Sequence, residues 1–273
     1  MPKVVLITGA SSGIGKVTAK HLIKQGHIVY GAARRLENMK DLNELGGHAI
    51  GMDITSESQI QAAVDRVLFE QNRVDVLINN AGYAVYGAVE QVSIDEARRQ
   101  FEVNLFGLAS LTQKIIPKMR DQGSGLIINI SSIGGKVYTP LGAWYHATKH
   151  ALEGWSDSLR VELAEFGIHV SVVEPGAIET EFGDVMMDPM LERSKGGPYE
   201  ALSIAVADGS KTYYNGSPSN SPQVIANVIA KAISSSKPKT RYVAGKMAKP
   251  TLFMRRLLSD RGFDWVLTKM LPK

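Results

Sequence analysis

The chain alternates between short, nearly continuous apolar runs and longer stretches where apolar residues return every three or four positions. The runs are "VVLIT" at 4–8, "HIVYGAA" at 27–33, "HAIGMDI" at 48–54, "VDVLINN" at 74–80, "GLIINIS" at 125–131 and "HVSVVE" at 169–174. A strand with one wet face would alternate apolar and polar residues. A run that is apolar throughout predicts a strand buried on both faces, as in a parallel sheet. Helical spacing fills residues 14–25, 56–70, 93–120 and 143–166 between the runs. This order predicts an α/β fold, a doubly wound parallel sheet with helices on both faces.

Further along, "SPQVIANVIAKAIS" starts with a capping Ser221 and a first-turn Pro222, and Val224, Ile225, Val228, Ile229, Ala232 and Ile233 make one apolar face. "RYVAG" at 241–245 reads as a last strand. Residues 181–220 are rich in Gly, Ser, Pro and Asn and are expected to form a mobile substrate loop with a short helix in it. The basic, apolar extension at 250–273 is expected to pack against its own domain. No linker divides residues 1–273, so a single domain is expected.

Composition narrows the function. The chain has 273 residues, 44% hydrophobic and 21% charged, enough for a full-sized core. The absence of cysteine excludes disulfides, thiol catalysis and cysteine-ligated zinc. The formal charge is only +4, with basic residues spread out except at "SKPKTR" and "MRR", so no nucleic-acid partner is expected. No apolar run approaches the roughly 18 residues of a spanning helix, and the first residues lack the apolar core of a secretory signal; a cytoplasmic protein is the expectation.

"TGASSGIG" (Thr8 to Gly15) lies between the first strand and the first helix. There Gly9 permits a tight turn, Gly13 lets backbone approach a phosphate, and Gly15 lets helix and strand pack closely. With Ser11, Ser12 and Ile14 these residues would cradle a pyrophosphate at the positive end of the helix, as in a Rossmann-type dinucleotide site. The second strand then ends "AARR". An acidic residue there would favour the ribose hydroxyl of NAD, whereas Arg34 and Arg35 suit a 2′-phosphate, so NADP(H) is the expected preference with NAD(H) also admitted. Asp53, after the third strand, either accepts from the adenine amino group or begins a turn.

Tyr145 and Lys149 stand four apart and so share one helix face. An ammonium beside a phenol would lower the phenol's pKa toward working pH and let it exchange a proton with an alcohol or carbonyl oxygen. Tyr138 has Gly142 four residues on and is assigned to the substrate side or to packing. His146 and His150 are also four apart but have no third ligand or accompanying glutamate; they are read as helix-surface histidines pointing away from Tyr145, and no metal site is expected. Of Ser131 and Ser132, strand alternation allows at most one to address the site.

Over about residues 3–180, "TGASSGIG", "NNAG" at 79–82, "VNLFG", "ISS" at 130–132, "YHATK" at 145–149 and "PGAIET" at 175–180 resemble the short-chain dehydrogenase/reductase family in its single-domain branch. "VYGAARRLENM" and the "WYHATKHALEGWSDSLRVEL" helix are most similar to the group around 17β-hydroxysteroid and retinol dehydrogenases. The resemblance implies Tyr145 as acid/base, Lys149 as its electrostatic partner, Ser132 as the carbonyl-polarising hydroxyl and Asn104 as the support of a proton-relay water. It further implies that Asn80 and Gly82 line the cofactor, and that Pro175, Gly176, Ile178 and Thr180 flank the nicotinamide. The expected activity is NADP(H)-dependent interconversion of a ketone or aldehyde and an alcohol, on an apolar small-molecule substrate of steroid, retinoid or other bulky-ketone type. A 3-oxoacyl thioester reductase and a non-catalytic NADP(H)-binding redox sensor are the alternatives. The family also implies a homodimer or homotetramer.

Overall fold

In the computed structural model, residues 1–214 and 220–270 are described. Seven strands form one parallel sheet: β1 (Val4–Thr8), β2 (Ile28–Ala33), β3 (His48–Gly51), β4 (Val76–Asn79), β5 (Gly125–Ile130), β6 (Ile168–Pro175) and β7 (Arg241–Ala244), in the order β3-β2-β1-β4-β5-β6-β7. The helices are α1 (Gly13–Lys24), α2 (Lys40–Glu44), α3 (Glu57–Gln71), α4 (Ile94–Phe101), α5 (Gly107–Asp121), α6 (Ala143–Leu163), α7 (Phe182–Ser194), α8 (Glu200–Tyr214), α9 (Pro222–Ser234), α10 (Ala248–Leu257) and α11 (Asp260–Met270). Successive strand residues point to opposite faces, and both faces are dry. Val5, Ile7, Ile78 and Ile128 join Ile225 and Ile229 of α9 in one apolar layer; Leu6, Leu77 and Ile127 join Leu111 of α5 and Leu159 of α6 in the other.

The strands, α1, α3, α6 and α9 lie within a residue or a few of their expected limits. The single helix expected over 93–120 is instead α4 and α5 joined by a π-helical turn, Glu102–Phe106, with Asn104 buried inside it. The segment expected to be a loop with one short helix is, over its described residues, two helices, α7 and α8; residues 215–219 lie outside the described residues. Tertiary packing overrides local composition here. Met186, Met187 and Met190 of α7 and Ala207 of α8 are buried in a third apolar cluster, with Tyr86 and Tyr145.

The sheet order sets the position of the site. From β1 the chain winds outward to β3, then crosses back to lay β4 on the other side of β1, so the loops leaving β1 and β4 diverge and open a crevice at the strand ends. The glycine turn follows β1 and Asn80 follows β4, so both border that crevice.

Candidate active site

Backbone geometry explains the glycines. Gly9 has φ 69°, a left-handed conformation, and a Cβ there would lie 2.8 Å from Asn80 Nδ2. A Cβ on Gly15 would lie 2.3 Å from the Gly9 carbonyl oxygen, so only glycine lets α1 pack this close to the turn. Asn80 closes the other side: its amide donates to the carbonyls of Thr8 (2.9 Å) and Gly9 (3.3 Å). Ser12 precedes α1, yet its side chain does not cap the helix and no acidic residue stands in the first turn. The first N–H groups are thus left to an external acceptor, and an anion suits them.

One cavity of about 810 Å³ runs from this turn across the sheet ends. Gly9, Ser11, Ser12, Gly13, Ile14, Arg34, Arg35, Asp53, Asn80, Gly82, Ser132, Tyr145, Lys149, Pro175, Gly176, Ile178 and Thr180 all border it. Two expected site residues stand behind its wall. Gly15 packs against the turn, and Asn104 uses its side chain on protein: its amide donates to the Tyr83 carbonyl (2.9 Å) and Thr148 Oγ1 (3.2 Å), and its oxygen accepts from the Tyr83 N–H (3.1 Å). The two arginines differ. Arg35 donates to Ser12 Oγ (3.2 Å) and lies 3.7 Å from Glu181, whereas Arg34 is exposed and has no ion pair among the described residues. Asp53 both begins a turn and borders the cavity. Burial pushes its carboxyl up, but the Thr55 N–H and hydroxyl, with Arg99 and Arg34, outweigh this and hold it below its ordinary value.

Tyr145 and Lys149 rise from the first turns of α6, and both are buried. Leu141 enters the helix with φ 64°, a conformation unfavourable for a branched side chain, and its carbonyl is held by the Gly87 N–H (2.8 Å). The Tyr145 hydroxyl shares a hydrogen bond with Ser132, whose Oγ also accepts from the Gly134 N–H (3.0 Å). Ser131 Oγ is buried with no hydrogen-bond partner among the described residues. Lys149 Nζ donates to the Ile130 carbonyl (2.8 Å) and lies 6.0 Å from the Tyr145 ring centroid. Burial lowers the lysine to about 8, against the pull of Glu153 one turn on. Burial likewise drives the Tyr145 phenol above its ordinary value, opposed by the Ser132 bond and reinforced by Tyr86. The expected lowering of the phenol by the ammonium is therefore not what the geometry produces. Burial of the phenol is the largest influence on it, and the ammonium 6.0 Å from the ring centroid does not reverse it.

His146 also departs from expectation. It is buried, not a surface residue: Nδ1 donates to the Gly134 carbonyl (3.0 Å) and Nε2 accepts from the Thr139 N–H (3.0 Å), which makes it neutral and ties the loop after Ser132 to α6. Burial holds it below its ordinary value, against the Gly134 bond. His150 is exposed. Among the described residues no cluster of three His, Asp or Glu side chains is placed to hold a metal. Beneath the site a buried polar chain links helices and strands: Asn79 Nδ2 donates to Thr112 Oγ1 (3.0 Å) and Asn129 Oδ1 (2.8 Å), and Asn129 Nδ2 donates to Ser156 Oγ of α6 (2.8 Å). Neither asparagine is among the expected site residues, though a polar residue inside an apolar strand is itself a signal.

Beyond Tyr145 the cavity becomes apolar. Val137, Val185, Met186 and Val206 border it there, together with Met254, Phe263 and Leu267 of the C-terminal helices. Tyr138 borders this part and fastens the extension: its hydroxyl donates to Asp264 (2.8 Å), and Phe263 meets its ring edge-on at 5.2 Å. Thus α10 and α11 pack on their own domain and also wall the cavity.

This arrangement is matched by known proteins. The family model described as short chain dehydrogenase matches residues 3–189. The chain belongs to the short-chain dehydrogenase/reductase family. It is an oxidoreductase that works with a nicotinamide dinucleotide. It is 44% identical over 184 residues to a 3-ketodihydrosphingosine reductase of Bacteroides thetaiotaomicron, covering 67% of this chain and 66% of that one. It is 32% identical to an NADPH-dependent 3-dehydrocapnine reductase of Ornithobacterium rhinotracheale over 99% of this chain and 98% of the relative. Among solved structures, a short-chain dehydrogenase from Streptomyces avermitilis superposes with a TM-score of 0.81 at 35% identity, covering 98% of this chain and 96% of that chain.

Proposed function

We propose that this short-chain dehydrogenase/reductase interconverts an apolar, bulky ketone or aldehyde and its alcohol, prefers NADP(H), and uses Tyr145 as the acid/base. The observation that carries the reading is the position of the Tyr145–Ser132 hydrogen bond, where the glycine-lined part of the cavity meets its apolar part. The cavity's residues fit the dinucleotide. Uncapped N–H groups of α1 suit the pyrophosphate, Arg34 suits a 2′-phosphate, and the Pro175–Thr180 stretch borders the same cavity as Tyr145.

When bound, the nicotinamide supplies or accepts the hydride. The protein's own groups handle the proton and the charge. Ser132 donates to the carbonyl oxygen and polarises it, and Tyr145 gives that oxygen its proton as negative charge develops. A phenol raised by burial keeps its proton at working pH, which suits it as the acid of carbonyl reduction. The cation of Lys149, 6.0 Å from the ring centroid, stabilises the phenolate left behind. Asn104 is a positioning residue on this reading: by gripping the Tyr83 backbone and Thr148 it sets the loop after β4 against α6. The names of the two reductase relatives, one of them NADPH-dependent, support both the direction and the cofactor.

The test is a panel of apolar ketones, aldehydes and their alcohols assayed with NADPH, NADH, NADP and NAD, in the intact protein and in Tyr145→Phe. The phenylalanine variant should lose at least about 10²-fold in kcat while nucleotide binding changes little. Near-normal turnover would remove Tyr145 from the mechanism.

A further inference from the structure

Positive charge is concentrated at one end of the chain. Residues 246–273 hold seven of the 31 lysines and arginines but only two of the 27 acidic residues, so the preceding 245 residues carry 24 basic against 25 acidic side chains. Both acids of the segment are engaged: Asp260 pairs with Arg255 (2.6 Å), and Asp264 accepts from Tyr138. Arg255 itself faces inward, over the rings of Tyr138 and Phe263. Lys249, Arg256, Arg261 and Lys269 remain exposed, with no ion pair among the described residues.

Apolar side chains are set among these four cations. Phe253, Leu257 and Trp265 are 64%, 67% and 63% exposed. On α10, Lys249, Phe253 and Leu257 follow at intervals of four, with Arg256 three beyond Phe253; on α11, Arg261, Trp265 and Lys269 do the same. Residues so spaced share a helix face, so each helix presents an aromatic side chain between cations. Met254 of α10 and Phe263 and Leu267 of α11 line the cavity instead.

We propose that the outer face of α10 and α11 docks on an anionic lipid surface. Such a surface matches both halves of the pattern, with lysines and arginines at the phosphates, tryptophan at the headgroup level, and Phe253 and Leu257 at the acyl boundary. A second copy of the chain is the poorer occupant, because a two-fold contact would set these cations against their own equivalents. No helix among the described residues is long and apolar enough to span a membrane, so the contact is peripheral. It does not depend on the substrate reading.

The experiment uses the full chain with vesicles of phosphatidylcholine, with or without phosphatidylglycerol, followed by co-flotation and by tryptophan emission. Binding to phosphatidylglycerol vesicles alone, weakened by salt and with Trp265 emission moving to shorter wavelength, is expected. Arg256→Gln and Lys269→Gln should each weaken binding roughly fivefold. Phe253→Ser should weaken it too while leaving the melting temperature unchanged, since the side chain is exposed. Trp265→Phe should remove the emission shift, because Trp144 and Trp155 lie elsewhere, on α6. Equal binding to both vesicle types, no binding, or a Phe253→Ser variant that instead turns a dimer into a monomer would overturn the proposal. So would equally tight binding to DNA without an emission shift.

Discussion

Replacing Lys149 by methionine should inactivate the enzyme and stabilise the protein. Lys149 is 8% exposed, and burial moves its pKa from 10.5 to about 8. The folded state therefore disfavours the ammonium by about 3 kcal/mol relative to the unfolded chain. The penalty is fully present below pH 8. Between 8 and 10.5 the unfolded state holds the proton that the folded state has released, so wild-type stability gains from this group as pH rises; above 10.5 the penalty is gone. Methionine carries no such penalty at any pH but leaves the Ile130 carbonyl without its donor, which costs about 1–3 kcal/mol. Near pH 7 the variant should be the more stable by up to about 2 kcal/mol, a rise of roughly 2–4 °C in Tm per kcal/mol. Above pH 10.5 it should be the less stable. Urea unfolding of both proteins across this range measures the crossover. A difference that stays constant with pH would mean that Lys149 is not held desolvated, and would refute the reasoning.

Arg34→Asp should lower the ratio of kcat/KM for NADPH over NADH by at least about tenfold, because a phosphate-binding cation becomes a repelling carboxylate; an unmoved ratio would assign Arg34 to the solvated surface. Gly15→Ala places a methyl group 2.3 Å from the Gly9 carbonyl and should cost about 1–3 kcal/mol in urea unfolding, with weakened nucleotide binding in the same protein. Amide exchange across residues 182–210 should slow more with NADPH plus a competitive ligand than with NADPH alone, with α7 closing about its C-terminal end, where Arg193 bonds Glu96 and the Tyr86 carbonyl. Strong protection already in the free enzyme would make that segment a fixed wall.

The parts legible in the sequence are those where one local rule decides. Continuous apolar runs mark strands buried on both faces, and the glycines of "TGASSGIG" mark places where a Cβ has no room, so β1 to β7 and the turn were readable. The missed parts depend on partners distant in the chain. His146 looks like a surface histidine by helix spacing, but the loop carrying Gly134 and Thr139 folds over it. Helices α7 and α8 contain Pro189, Gly183 and Gly209, and their composition suggests a loop; the apolar cluster that includes Tyr86 and Tyr145 holds the methionines in helical register. The Tyr145 phenol follows the same rule. Spacing along a helix reports which charge is near, whereas the burial that raises this pKa comes from other elements.

The cavity that Tyr145 borders is assembled from two successive lengths of chain. Everything expected to handle the nucleotide and the proton lies between Thr8 and Thr180, whereas the apolar end is mostly walled by side chains from Val185 to Leu267. On the proposed function, redox chemistry and substrate choice are nearly separable along the gene, meeting at Tyr138 and Tyr145. A new substrate range is then open to variation, or to exchange of the terminal third with a relative's, while the proposed hydride-transfer apparatus stays untouched.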